Sequence, residues 1–153
     1  MRILLDTNIL LRLNDGRTTN SAAKPAIVTL HKAGHNLCLV PQVIYEFWVV
    51  ATRPKENNGL GLAPKEVEQI LSQWEETLPV LPDEASILPV WKRLVTDLGV
   101  KGKTAHDTRI VAAMLHHDVE GLLSFSTTDF SRYKEIAVRT PAEVLGVSGF
   151  EVR

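Results

Sequence analysis

Cysteine is almost absent. Cys38 is the single thiol in 153 residues, so no internal disulfide can form. A lone Cys in an apolar segment reads as a small core residue, and its isolation fits a reducing cytoplasm. Long apolar runs are missing too: none approaches the roughly 18 residues that a membrane span needs. The amino terminus lacks the basic region and long apolar stretch of a signal peptide. Charge of one sign is not in excess, since 17 Lys and Arg face 18 Asp and Glu for a net charge of −1. A nucleic-acid partner would therefore have to be drawn by local basic groups or bound metal ions, not by the field of the whole molecule. There is no internal repeat, low-complexity tract or domain boundary. Hydrophobic content of 44% and charged content of 23% are ordinary for a globular chain. The length suits one domain, residues 1–153, with a single core.

Several motifs fail on inspection, and each failure excludes a chemistry. Gly102-Lys103-Thr104 has the ending of a phosphate-binding P-loop, but the glycine required five residues earlier is Asp97. His31 and His35 have no cysteine pair and no zinc-finger spacing. His116 and His117 close a helix, where they complement its dipole. Ser124 and Ser126 are not framed by the glycines of a nucleophile elbow, which argues against serine hydrolase chemistry.

What is present alternates between strand and helix. Ile3-Leu4-Leu5 is a short continuous apolar run, as in a strand buried on both faces. It stops at Asp6-Thr7-Asn8, and Ile9, Leu10 and Leu13 then recur at helical spacing. Thr19, Asn20 and Ser21 offer caps for a helix that Gly34 ends. Asn36 to Val40 reads as a second strand, followed by a helix from Pro41 to Thr52, with Arg53-Pro54 stopping it. Pro64 opens the next helix, with Val67, Ile70, Leu71 and Trp74 facing inward. Val80-Leu81, between Pro79 and Pro82, reads as a short edge strand. Asp83 to Leu98 is helical in pattern and closed by Gly99. Asp107 to His116 is another helix, Leu122 to Phe125 a fourth strand and Ile136 to Val138 a fifth. Strands separated by helices imply parallel pairing with right-handed crossovers. The expectation is a three-layer α/β/α domain with a central parallel sheet of about five strands.

Such sheets bind ligands at the carboxyl ends of their strands, so carboxylates returning to that edge matter. Asp6 ends the first strand, although Asp, Thr and Asn also cap helices. Glu46 lies on a fairly apolar helix, where a carboxylate is costly unless it is paired or holds a cation. Asp107 stands at the start of its helix, a position the helix dipole favours by itself. Asp129 follows the fourth strand by a few residues, where a loop or cap residue is also common.

Three segments carry a family resemblance: the opening hydrophobics with Asp6-Thr7-Asn8, then Pro41-Gln42-Val43-Ile44-Tyr45-Glu46-Phe47, then Ala105-His106-Asp107-Thr108-Arg109-Ile110-Val111-Ala112-Ala113. In order and spacing they resemble PIN-domain nucleases, most of all the VapC-type toxins of toxin–antitoxin pairs. Leu122 to Phe130 resembles the fourth family segment, so the likeness spans essentially the whole chain. It implies a parallel sheet, Mg²⁺- or Mn²⁺-dependent hydrolysis of RNA phosphodiester bonds, a homodimer and an antitoxin partner. It also implies catalytic and metal-binding roles for Asp6, Glu46 and Asp107. The family's fourth acid falls here on Ser126, with Asp129 nearby as the candidate replacement. Hard oxygen donors suit Mg²⁺ or Mn²⁺, which activate water and take up phosphoryl charge. Crowded carboxylates should have raised pKa values and favour cations. Thr7 and Asn8 are expected to orient Asp6 or contact phosphate. Lys101, Lys103 and Arg109 flank Asp107 and either engage the RNA backbone or are solvated surface charge. Ser126 keeps open a rival reading, a catalytically weakened PIN-like module that binds RNA or a protein. Trp48, Trp74, Leu60 and Leu62 exceed what a small core needs and predict a homodimer interface or a groove for an antitoxin helix.

Overall fold

In the computed structural model, which describes residues 1–18, 21–146 and 150, the opening apolar run forms β1 (Arg2–Leu5). It pairs in parallel on both sides, with β2 (Asn36–Cys38) and with β3 (Gly121–Leu123). β4 (Ala137–Arg139) adds to the far side of β3, and the strand order is β2-β1-β3-β4. Ile3, Leu4, Leu122 and Leu123 are fully buried, as required of central strands covered by helices on both faces. Cys38 is buried as well, with its thiol 3.5 Å from the Ile3 carbonyl and its pKa pushed up to about 11, mainly by burial. It is a core residue.

The sheet has four strands among the described residues, not five. Val80 makes one isolated bridge to Leu39, through Leu39 N donating to Pro79 O (2.9 Å) and Leu81 N to Leu39 O (2.8 Å). Pro79 has no N–H to donate to Leu37 O, and Pro41 has none to donate to Leu81 O, so the ladder cannot extend in either direction.

Seven helices flank the sheet among the described residues. α1 (Thr7–Leu13) starts at once after β1, capped by the Asp6 side chain. In α2 (Ala23–Lys32) the first N–H donates to Ser21 Oγ at 3.1 Å; Thr19 and Asn20, the other expected caps, lie outside the described residues. Gly34 ends α2 at φ +86°, a left-handed conformation that glycine adopts without strain. α3 (Pro41–Thr52) and α4 (Pro64–Thr77) open on proline, as the sequence predicts. α5 (Ile87–Asp97) starts four residues later than the periodicity suggests, which puts Pro89 in the first turn, where a missing N–H breaks no bond. α6 (Thr104–His116) starts three residues before Asp107. α7 (Pro141–Gly146) is not among the elements expected from the pattern. Its local signal is Thr140-x-x-Glu143, and Thr140 Oγ1 does accept the Glu143 N–H at 3.1 Å.

α3 is held from behind. After Pro54 the chain turns back, and Leu60 and Leu62 donate their N–H groups to Val50 O (3.1 Å) and Ala51 O (2.9 Å). These bonds satisfy carbonyls that a helix end otherwise leaves open. Gly59 is required in the turn: a Cβ there would stand 1.9 Å from Arg53 O. Leu60 is buried in this return, and Trp74 packs edge-on against Phe47 with ring centroids 4.8 Å apart. Leu60 therefore belongs to the chain's own core, and Trp74 and Leu62, both partly buried, pack against it. Of the four expected contact residues only Trp48 stays exposed, on a stretch of α3 shared with Tyr45 and Val49.

Candidate active site

With strand order 2-1-3-4 the winding reverses between β1 and β3, and the crevice at their carboxyl ends is where such sheets receive ligands. Asp6 leaves β1 there and Ser124 leaves β3. They meet: Ser124 Oγ donates to Asp6 Oδ2 at 2.6 Å, while the other carboxylate oxygen accepts the Thr7 N–H at 2.8 Å. Asp6 is therefore a helix cap and a crevice residue at once. One oxygen closes the helix while the carboxylate stands at the strand ends.

Contact between segments far apart in sequence then brings the other expected residues to the same edge. Thr7 Oγ1 donates to Glu46 Oε2 at 2.8 Å, tying α1 to α3. Asn8 bridges to the segment after β3, with Nδ2 reaching Ser124 Oγ (3.2 Å) and Ser126 Oγ (3.1 Å) and Oδ1 accepting the Phe125 N–H (3.2 Å). Ser126 thus faces Asn8, not a carboxylate. Asp129 is exposed at the rim, in a loop pinned by the buried rings of Phe130 and Tyr133. Tyr133 OH shares a 2.6 Å hydrogen bond with Thr108 Oγ1, one residue beyond Asp107.

The electrostatics report how close these acids are. Burial pushes the Asp6 carboxyl up to about 6; the Ser124 hydroxyl and Thr7 amide pull it down, and the charges of Glu46 and Asp107 add repulsion. Asp107, half-buried, is also raised, first by burial and then by the charges of Asp129 and Glu46, against the pull of His106 and Arg132. Asp129 is thus the charge that Asp107 feels most. The carboxylates do not close on one another: among the described residues, the one set of three such donors within 4.8 Å lies elsewhere, at Glu84, His116 and His117. The crevice offers carboxylates instead. The donors are hard oxygens, and Mg²⁺ is commonly held by only one or two carboxylates with waters completing its shell, so Asp6, Glu46 and Asp107 fit such an ion.

Two residues at the site are absent from the sequence-based expectation. Gln42 is buried and donates through Nε2 to Glu46 Oε1 (2.9 Å) and to His106 O (2.8 Å), joining α3 to the start of α6. Its available signal is the one-turn spacing to Glu46. Ser124 has no signal beyond its place at the end of β3. Arg109 is engaged inside the protein, with Nη1 donating to Gln42 Oε1 at 3.0 Å and Nη2 paired with Asp83 Oδ1 at 3.1 Å. Lys101 and Lys103 stand exposed just before α6.

The family model described as PIN domain matches residues 3–136. Among solved structures, VapBC2 of Rickettsia felis bound to a DNA fragment from its promoter contains a chain similar to this one, at 15% identity and a TM-score of 0.70, covering 92% of this chain and 98% of that one. A toxin–antitoxin complex from Klebsiella pneumoniae is similar at 24% identity and a TM-score of 0.62, covering 91% and 97%. VapC20 of Mycobacterium tuberculosis, a toxin cleaving the sarcin–ricin loop, is similar at 19% identity and a TM-score of 0.64, covering 90% and 98%. At these identities the likeness is one of fold. No curated protein gives a significant match.

Proposed function

The chain belongs to the PIN-domain family, and from that premise we propose that it is a metal-dependent ribonuclease, the toxin half of a toxin–antitoxin pair. The observation that carries this reading is Asp6: a carboxylate buried at the β1/β3 crevice, raised to about 6 and repelled by Glu46 and Asp107. A folded chain keeps such an arrangement at a cost, and a bound divalent cation removes it.

Asp6, Glu46 and Asp107 would hold Mg²⁺ or Mn²⁺, which supplies an activated water and neutralises charge on the phosphoryl oxygens. The rest of the work falls to the chain. Ser124 and the Thr7 amide aim the two oxygens of Asp6. Thr7 and Gln42 each take one oxygen of Glu46, so its rotamer is fixed from both sides. Arg109, braced by Asp83, holds Gln42 in turn. Lys101 and Lys103, exposed just before α6 and close in sequence to Asp107, would supply positive charge to an RNA backbone. Gln42→Ala is expected to lower cleavage about 10- to 100-fold, the usual effect of losing a group that orients a metal ligand. Recovery of most activity in Gln42→Glu would instead indicate that bulk at this position suffices.

The likeness in fold to chains crystallised in toxin–antitoxin complexes supports an antitoxin partner, and the likeness to VapC20 supports RNA as substrate. The exposed Tyr45, Trp48 and Val49 on α3 are a candidate homodimer face. Incubation with a pool of structured RNAs tests the reading. Cleavage in Mn²⁺ or Mg²⁺ that stops on addition of EDTA is the expected result. Undiminished cleavage in EDTA would overturn metal dependence, and RNA retention without cleavage in any metal would favour the binding module.

A further inference from the structure

The carboxyl-terminal end of α6 carries a second cluster of donors that the acidic crevice does not use. Nine residues, about 13 Å of helix axis, separate His116 from Asp107. Glu84, in the connection ahead of α5, places Oε2 2.7 Å from His116 Nε2. His117 Nε2 lies 2.8 Å from Pro82 O in the same connection. A carbonyl oxygen can only accept, so His117 Nε2 carries the proton and Nδ1 keeps the lone pair. One donor atom from each of Glu84, His116 and His117 lies within 4.8 Å of the other two.

We propose that these three residues form a transition-metal site, for a cation of the Zn²⁺ class, distinct from the acidic crevice. The donor set decides the class. Two imidazoles and one carboxylate suit Zn²⁺ and its neighbours, whereas Mg²⁺ and Mn²⁺ prefer the all-oxygen crevice. The surroundings are also those of a metal site. A ligating histidine ordinarily donates its other N–H to a carbonyl or carboxylate, as His117 does to Pro82 O. Arg2 Nη1 donates to the His117 carbonyl at 2.6 Å, which satisfies this end of the helix without using either ring. Glu84 is exposed and both histidines are half-buried, so an ion has a path in, and water would complete the shell. The ion replaces the direct Glu84–His116 contact and joins the Pro82–Glu84 connection to α6. Asp83, in that connection, already braces Arg109 two turns earlier on the same helix. Occupancy therefore stabilises the packing of this connection on α6.

The test uses the untagged full chain carrying Asp6→Asn and Asp107→Asn, so that the crevice is disabled as a zinc site. Calorimetric titration with ZnCl₂ in excess Mg²⁺ should give one ion per chain, and zinc should raise the Tm by several degrees. His116→Ala should weaken binding at least tenfold and remove the rise in Tm. Glu84→Gln, a change at an exposed position, should weaken binding as well with the fold intact. Absence of heat and of any Tm shift would leave Glu84 and His116 a hydrogen-bonded pair only and overturn the proposal. Binding that survives His116→Ala and His117→Ala but is lost in His31→Ala/His35→Ala would overturn it equally.

Discussion

Asp6→Asn, Glu46→Gln and Asp107→Asn are each expected to reduce RNA cleavage by on the order of 10²- to 10³-fold, with far-UV circular dichroism unchanged. A single preorganised group that stabilises reacting charge in a water-poor site typically has effects of that size. The replacements are nearly isosteric, so helix caps and packing survive. At position 6 the new amide keeps an oxygen for the Thr7 N–H, and at position 46 it keeps one for the Thr7 hydroxyl. What is lost is charge facing the cation, together with one accepted hydrogen bond at each site, from Ser124 at position 6 and from Gln42 at position 46. Asp129→Asn should cost less, because Asp129 is exposed at the rim, although its charge is the one felt most by Asp107. Ser126→Asp should tighten a second Mn²⁺, since Ser126 now offers only a hydroxyl turned to Asn8. Calorimetry on the wild type showing two equally tight Mn²⁺ ions, one of them lost in Asp129→Asn, would make Asp129 a full ligand. Wild-type cleavage rates in all three crevice variants would show that the site is misassigned.

In EDTA at pH 7.5, Asp6→Asn should melt about 5 °C or more above the wild type, the second large effect. The sign follows from the raised carboxyl. An unfolded Asp releases its proton near 3.8, and Asp6 in the fold releases it near 6. Between those values the folded state holds the extra proton. The contribution of Asp6 to stability is therefore greatest below pH 3.8, falls as pH rises to 6 and stays low above it. Ionised Asp6 costs the fold on the order of 3 kcal/mol relative to its protonated form, with the Ser124 and Thr7 hydrogen bonds already included. Asn carries no such cost. The advantage of the variant should shrink toward zero near pH 4. Adding Mn²⁺ should reverse the ranking, since only the wild type gains from a tightly bound ion. A variant that melts lower than wild type at every pH, metal absent, would mean that the Ser124 hydrogen bond to the carboxylate outweighs the cost of burial.

Much of this molecule is legible without coordinates. The Ile3-Leu4-Leu5 run has to be a doubly covered strand, because apolar side chains on consecutive residues point to both faces of a sheet. Prolines at 41 and 64 open helices, and Gly34 and Gly99 end them, for reasons internal to one or two residues. Glu46 stands out because an acid on an apolar helix face is locally expensive, whereas Asp6 and Asp107 suit a cap and a first turn and stand out through the segments that carry them. Other features belong only to the folded chain. Val80-Leu81 has the composition of a strand, but a ladder needs donors from both strands, and Pro79 on one and Pro41 on the other withhold them. Ser124 and Gln42 are ordinary residues in sequence. They join the crevice because parallel pairing sets β3 beside β1 and packing sets α3 against α6. Trp74 and Leu60 read as available to a partner, yet Trp74 packs against Phe47 and Leu60 is buried in the return from α3. A helix or a cap is decided by neighbours a few residues apart, which the sequence lists in order. A hydrogen bond between positions 6 and 124, or 42 and 106, is decided by which surfaces the whole core brings together, and no local pattern encodes that.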